Sequence, residues 1–370
     1  MKKQSGFTLI EFMVAMGITI VALAATILAF KDATTSNQSV TLKSDISDNL
    51  RAGVNLIEQD LIQAGTGIPT GGIPIPYTPG PATCPGSGGA PINRPNLTGG
   101  LTFPVCNVTL NPVEPGWELG PPITSPDSKP GVNTDIIDVL YADNTLALNS
   151  KMINEPASGS TPGCPNGSIT SNGLTVTFDP NCIQFSSTGV QVNPGDLIMF
   201  SNSVGNAIQE VTAVSGQVLT FAKGDGLNLN GRSDPDGTMT QLENTNTSGT
   251  PNGTFPPTTA TRIWMISYYL DDVTDPQNVR LIRRVNDNPG QPVGETIENL
   301  QFKYNFVDGV TNPSGQPSIP TGETEGEIRA VDVIMWARST TAWLQNHTYL
   351  RNNFMTQVSL RSMAYVNRYN

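Results

Sequence analysis

Residues 1–30 read MKKQSGFTLIEFMVAMGITIVALAATILAF, and residues 31–65 continue KDATTSNQSVTLKSDISDNLRAGVNLIEQDLIQAG. Lys2 and Lys3 form a short basic head, and from Phe7 to Phe30 the only charge is Glu11. A helix over 7–30 covers about 36 Å, enough to cross a hydrocarbon core of roughly 30 Å. A basic head before an apolar run stays cytoplasmic. This predicts a single membrane span with the rest of the chain outside the cytoplasm. The helical period continues beyond Phe30. Ile46, Leu50, Val54 (or Gly53), Ile57, Leu61 and Ala64 recur at spacings of three and four, which makes one apolar stripe on an amphipathic helix. Asp45, Asp48, Arg51, Glu58 and Asp60 fall mostly off that stripe. Gly65, Gly67 and Pro69 end it. The reading is one helix from Phe7 to Ala64, about 87 Å long, with its second half packed on a globular head.

Three readings of the N-terminus compete. A secretory signal peptide would use Ala22-Leu23-Ala24 as its cleavage motif before Ala25. A plain anchor would keep Met1. A prepilin would be cut ahead of the apolar segment. Glu11 separates them, because a carboxylate costs about 2.5–3.5 kcal/mol at mid-membrane and less near an end. Only the third reading gains from it. Cleavage after Gly6 frees the amine of Phe7, and Glu11 becomes the fifth residue of the mature chain. In a filament that carboxylate can neutralise the terminal ammonium of a neighbouring subunit, and in low dielectric the pair favours assembly only when both partners are present. The string Gly6-Phe7-Thr8-Leu9-Ile10-Glu11 resembles the class III signal of type IV pilins and type II secretion pseudopilins. The resemblance implies cleavage by prepilin peptidase between Gly6 and Phe7, N-methylation of Phe7, and an assembly role for Glu11.

The remainder is rich in loops. The 370 residues hold 36 Gly and 30 Pro, 37% hydrophobic and 14% charged residues. Such a chain is too apolar for disorder and too loop-rich for a helical bundle. Residues 66–131 read as a Gly/Pro-rich insert, a long irregular surface loop. Residues 132–259 read as a β-rich insert with loops. Strand-like runs there are Asp135–Tyr141, Leu174–Phe178, Asp196–Asn202, Ala207–Val214 and Val218–Ala222. Residues 260–370 read as a C-terminal antiparallel β module. Arg262–Leu270 and Asn278–Val285 form a hairpin, followed by Thr296–Asp308, Glu327–Arg338 and Met355–Asn367. The fold class is therefore α+β, a long N-terminal helix packed on an antiparallel sheet with large loop-rich insertions.

Further segments resemble the PilW-type minor pilins of the type IV pilus and the related J-type pseudopilins. They are SDNLRAGVNLIEQDLIQAG (47–65), GDLIMFSNSVGNAIQEVT (195–212), ISYYLDDVTDPQNVRLIRRV (266–285), IENLQFKYNF (297–306) and EIRAVDVIMWARS (327–339). Their order along the chain carries the likeness more than any one of them. The resemblance implies a low-copy subunit that primes pilus assembly and sits at or near the tip, supporting motility or adhesion. Its implied partners are other minor pilins, the major pilin, the inner-membrane assembly platform and, in many such systems, a large tip adhesin. The insert at 66–131 is either solvated loop or a contact for such a partner. A J-type pseudopilin of type II secretion is the alternative, and an anchored extracellular binding or enzyme module is a further one.

The net charge is −11, with 31 Asp+Glu against 20 Lys+Arg. Such a chain is a poor electrostatic partner for nucleic acid. The four cysteines, Cys84, Cys106, Cys164 and Cys182, all lie beyond the apolar segment. In an oxidising compartment they predict disulfides, with three connectivities open and Cys84–Cys106 with Cys164–Cys182 favoured because each closes a small loop. Zinc is disfavoured because no CxxC spacing exists. The stretch Asp225–Asp236 concentrates Asp and Asn but lacks the EF-hand spacing, and an ordinary turn is the better reading than calcium. No cofactor is implied. His347 is the single histidine. With no nucleophile elbow, phosphate loop or metal-ligand cluster in the chain, the sequence reads as a non-enzyme.

Overall fold

In the computed structural model the described residues are 8–75, 92–95, 100–103, 109–127, 131–157, 163–185, 191–231, 237–307 and 309–366. Helix α1 spans Leu9–Gln63, about 83 Å of continuous helix. It ends where Gly65 adopts a left-handed conformation (φ +81°), the position at which glycine carries no Cβ penalty. The Gly65 amide then donates to the Leu140 carbonyl, and the Ala142 amide to the Thr66 carbonyl, so the helix exit is fastened to a strand.

After α1 come β1 (Ile73–Pro74), β2 (Thr109–Leu110), β3 (Val113–Gly116), β4 (Ile136–Ala142), β5 (Ser168–Ile169) and β6 (Thr175–Thr177). Then follow β7 (Leu197–Ser201), β8 (Asn206–Glu210), β9 (Ala213–Ser215), β10 (Val218–Thr220), β11 (Thr259–Asp271), β12 (Arg280–Val285) and β13 (Gln291–Gly294). The chain closes with β14 (Ile297–Phe306), β15 (Ile328–Arg338), β16 (Arg351–Ser359) and the short helix α2 (Arg361–Val366). A large antiparallel sheet runs β13-β12-β11-β4-β3, with β7 on β11 and β8 on β7. Separate sheets are formed by β14-β15-β16, by β5-β6-β10-β9 and by β1-β2.

The strands of residues 132–259 and of residues 260–370 share one sheet. β11 is thirteen residues long and uses its two halves differently. Thr259–Ile263 pairs with β7, and Ile263–Tyr268 pairs with β4. A strand from the middle of the chain thus sits inside the sheet expected of the last 110 residues. The expected C-terminal module also divides, because β14-β15-β16 is a sheet of its own. The run read as strand through Asn367 stops at Ser359; Leu360 is buried and α2 follows.

The stripe on α1 faces the core as its spacing requires. Ile46, Leu50, Val54, Ile57, Leu61 and Ala64 are all buried, against Leu281, Leu300, Phe302, Val331 and Met335 among others. Gly53 lies on the same face, and a Cβ there would meet Leu281 at 2.8 Å and Met335 at 3.1 Å. The glycine therefore sets how closely the helix approaches the sheets. β4 is buried along its whole length because it is covered on both sides. Ile137, Val139 and Tyr141 face the helix, while Leu140 and Ala142 face Ile73, Ile92, Phe103 and Leu110. Within 66–131, Ile73, Ile75, Ile92, Phe103 and Leu110 thus pack on the back of the sheet, and Val113–Gly116 is a strand of it. A further core, with Phe200 and Phe221 edge to face at 5.4 Å, lies under the four-stranded sheet.

Ile57→Ala is expected to cost about 2–5 kcal/mol, since it empties a fully buried site between helix and sheets. Ile62→Ala, on the exposed face five residues on, should stay within about 0.5 kcal/mol of the parent. Denaturant unfolding of the two variants in the same detergent compares them.

Candidate assembly site

The first half of α1 is bare. Every residue from Thr8 to Thr34 is exposed, including Leu9 at 79% and Phe30 at 71%. An apolar surface of that extent is covered by something in the working protein, because isolated soluble domains seldom expose patches above a few hundred Å². By length and composition this is the one helix among the described residues able to cross a membrane. Its polar side chains are accommodated locally. Thr19 and Thr26 donate to the carbonyls of Ala15 and Ala22, at 2.7 and 2.8 Å, which leaves their hydroxyls satisfied in an apolar medium.

Glu11 sits in the first turn and is engaged by Thr8. The Thr8 amide and hydroxyl both donate to Glu11 Oε2 at 2.9 Å, and the Glu11 amide donates back to Thr8 Oγ1 at 3.4 Å. This is a reciprocal capping box, placing a negative charge at the positive end of the helix dipole. The carboxylate is thereby aimed towards the chain's N-terminal side. Thr8 was readable from Thr8-Leu9-Ile10-Glu11, the S/T-x-x-E signature before an apolar run, yet its capping role is absent from the sequence reading. Gly6 and Phe7, the expected cleavage and methylation residues, lie outside the described residues.

The second half of α1 carries a buried carboxylate tied to the sheet. Asp60, read as off the stripe, is 4% exposed. It accepts from Tyr141 Oη (2.9 Å), Tyr268 Oη (2.5 Å), Arg283 Nε (2.8 Å) and Arg283 Nη2 (3.1 Å). Those donors come from β4, β11 and β12, three adjacent strands. Burial, and then the Asp60 charge, push both tyrosine hydroxyls above their ordinary range, so they stay protonated as donors. On the other face of the sheet Arg94 is clamped the same way. It pairs with Asp138, donates to the Pro115 carbonyl (2.6 Å) and lies 4.4 Å over the Phe103 ring. Ser267 donates to the second Asp138 oxygen. Nearby, burial pushes the Glu114 carboxyl up to about 8.

Cys164 and Cys182 are joined by a disulfide, with Cα atoms 6.0 Å apart; Cys84 and Cys106 lie outside the described residues. His347 is exposed on the loop between β15 and β16, with φ +55°. Among the described residues no group of three or more His, Cys, Asp or Glu is arranged to hold a metal ion. In the stretch considered for calcium, Asp234 and Asp236 are outside the described residues. Asp225 turns its oxygens on its own loop, accepting from the Leu229 amide (2.7 Å) and the Asn230 amide (2.9 Å). Glu210 on β8 accepts from the Leu227 amide (3.0 Å). Burial, with the nearby Asp225 charge adding to it, pushes the Glu210 carboxyl up to about 7.

The family described as prokaryotic N-terminal methylation motif matches residues 1–27, a span that encloses Gly6, Phe7 and Glu11. No curated protein matches the chain. Among solved structures the chain is similar to a type IV-like pilin from Thermus thermophilus. That likeness covers 45% of this chain and 84% of the pilin, at 8% sequence identity and a TM-score of 0.17.

Two outcomes are expected of these networks. Asp60→Ala leaves the half-buried Arg283 without its partner and the buried hydroxyls of Tyr141 and Tyr268 without their acceptor, and should cost about 2–5 kcal/mol, at about 1–3 for each stranded hydroxyl. Tyr268→Phe removes one donor and should cost about 1–3 kcal/mol; denaturant unfolding reads both. For Glu210 the folded value lies above the unfolded one, so the folded state keeps a proton that the unfolded state has lost. The stability that proton supports is complete below about pH 4.5 and is lost as pH rises through about 7. Hydrogen exchange at Leu227, Leu229 and Asn230, corrected for intrinsic rates, should therefore speed up between pH 5.5 and pH 8. Glu210→Gln should flatten that dependence.

Proposed function

We propose that this chain is the precursor of a minor pilin, a low-copy, non-enzymatic subunit of PilW type that helps prime a type IV pilus. The observation that carries the reading is the conjunction on α1. A methylation motif matches residues 1–27, the helix half that overlaps it is exposed along its length and apolar to Phe30, and the other half is built into a β head. In the precursor, residues 7–30 lie in the inner membrane. Prepilin peptidase cuts after Gly6, Phe7 is methylated, and the assembly platform moves the helix from lipid into a bundle of other pilin helices.

That transfer has little hydrophobic driving force, because lipid tails and packed helices are comparably apolar. A polar pair can then set its direction. Glu11 already receives donors from the residue three positions before it, so a carboxylate stands close to where a Phe7 amine would be freed. A partner ammonium about 4 Å away contributes about 4 kcal/mol at an effective dielectric near 20. The head, much larger than the apolar span, suits a subunit present in few copies near the tip, in contact with other minor pilins, the major pilin and any tip adhesin.

Filaments sheared from cells should contain the N-terminal peptide of this chain beginning at methylated Phe7, detected by mass spectrometry. Glu11→Ala should still be cleaved but fall at least about tenfold in the sheared fraction, in keeping with the loss of a few kcal/mol of pairing. The methylated Phe7 terminus confined to the envelope would move the reading to a secretion pseudopilin. A Met1 or Ala25 terminus would overturn it.

A further inference from the structure

The head first meets the helix at one place. Counting from Thr8, Thr35 is the first residue of α1 that is not fully exposed. The indole Nε1 of Trp343, on the loop joining β15 to β16, donates to the Thr35 carbonyl at 3.2 Å. Beside it, the Leu344 amide donates to Gln38 Oε1 at 3.0 Å. The loop has a fixed shape of its own. Ser339 donates to the Leu350 carbonyl, Trp343 to Thr348 and His347 to Trp343, at 2.8, 2.9 and 2.8 Å.

The height of this contact matters. Phe30 is the last apolar residue before Lys31 and Asp32, and Thr35 lies five residues further, about 7.5 Å along the axis. A headgroup layer is roughly 5–8 Å deep on each side of the hydrocarbon core. If the core ends near Phe30, Trp343 lies at headgroup level. The composition of the loop fits that position. The chain has 31 Asp and Glu, yet residues 339–350, STTAWLQNHTYL, contain none. They contain Trp343, whose ring is apolar with a polar tip and favours the interface between hydrocarbon and water, while the Tyr349 ring stacks under Arg338 within the head. Leu344 is 58% exposed although nothing polar recommends it to water.

We infer that loop 339–350 is a membrane-interface anchor. Trp343 and Leu344 rest among the phospholipid headgroups of the outer leaflet and set the height at which the head rides above the span. The inference rests on the reading of residues 7–30 as a membrane span in the precursor. On assembly the same contact must leave the lipid together with the helix.

The test uses the full, uncleaved chain in vesicles of phosphatidylethanolamine and phosphatidylglycerol, with and without bromine near the headgroup end of the acyl chains. Bromine quenches tryptophan on contact. Of the four tryptophans, Trp117, Trp264, Trp336 and Trp343, only Trp343 is expected to respond. Brominated lipid should quench the parent protein, and Trp343→Phe should abolish that loss. Leu344→Asp, at an exposed position, should reduce it while leaving the head folded. A chain that resists carbonate extraction but is quenched to the same extent with and without Trp343 would overturn the anchor and leave the span standing. A chain that carbonate washes off would overturn the span, and the anchor with it.

Discussion

Asp60 puts a carboxylate on the buried face of the long helix, where an unpaired charge would cost several kcal/mol. Its neighbours make that position tenable. Tyr141, Tyr268 and Arg283 reach it from three consecutive strands, and four hydrogen bonds occupy its two oxygens. The arrangement depends on register. Tyr268 stands opposite Arg283 in the β11–β12 ladder, and a slip of one residue would turn one of them to the other face of the sheet. The hydrophobic stripe of α1 can pack in several nearly equivalent ways, because Leu, Ile and Val make non-directional contacts. The charge admits few. Helix placement and register are thus tied to one polar centre, while the glycine at position 53 leaves room for the ends of the Leu281 and Met335 side chains against the helix.

The same helix has to satisfy two media. Its C-terminal half is amphipathic, and its N-terminal half is apolar on all sides, so the two halves obey different rules in one unbroken element. The division falls at Thr35, where side chains from the head begin to cover it. Below that point the polar groups are handled within the helix, by Thr19 and Thr26 donating to the preceding turn and by Thr8 and Glu11 capping each other. As far as Phe30, a segment built this way makes no demand on its surroundings except apolarity, and lipid and neighbouring helices both supply that. Glu11 is the exception within it, and on the proposed function its charge distinguishes one apolar environment from the other.

Much of this was legible in the chain. The α1 stripe was visible because one periodicity runs through a continuous segment. The hairpin at β11–β12 was visible because two apolar runs flank a polar turn. What was hidden depends on contacts between distant segments. Asp60 lay off the apolar stripe by its residue type, and nothing local announces that Tyr268, more than two hundred residues away, will be its donor. Asp138, inside the apolar run DIIDVLY, gave a hint, since a charge in a strand buried on both faces needs a partner. That partner, Arg94, sits in a Pro-rich stretch with no periodicity to read. β11 takes β4 and β7 as partners because strand pairing is set by registry, not by spacing along the chain. Thr8 is different in kind: its capping role was written locally and was overlooked beside the stronger signal of Gly6, Phe7 and Glu11.

On the proposed function, three features bear on how the precursor would sit in the envelope. The basic pair Lys2 and Lys3 precedes the apolar segment, which favours a cytoplasmic N-terminus. The Cys164–Cys182 bridge belongs to an oxidising compartment, and both cysteines lie on the other side of the apolar segment. Between them, the first head residues to touch the helix include an indole and an exposed leucine on a loop without acidic residues. Charge and redox chemistry act through different physics, and on the proposed function each puts the head outside the cytoplasm, while the interfacial loop bears on its height above the span and not on its side. A topology with the head in the cytoplasm would place Lys2 and Lys3 outside and the disulfide in a reducing medium, and so would fail on two counts at once.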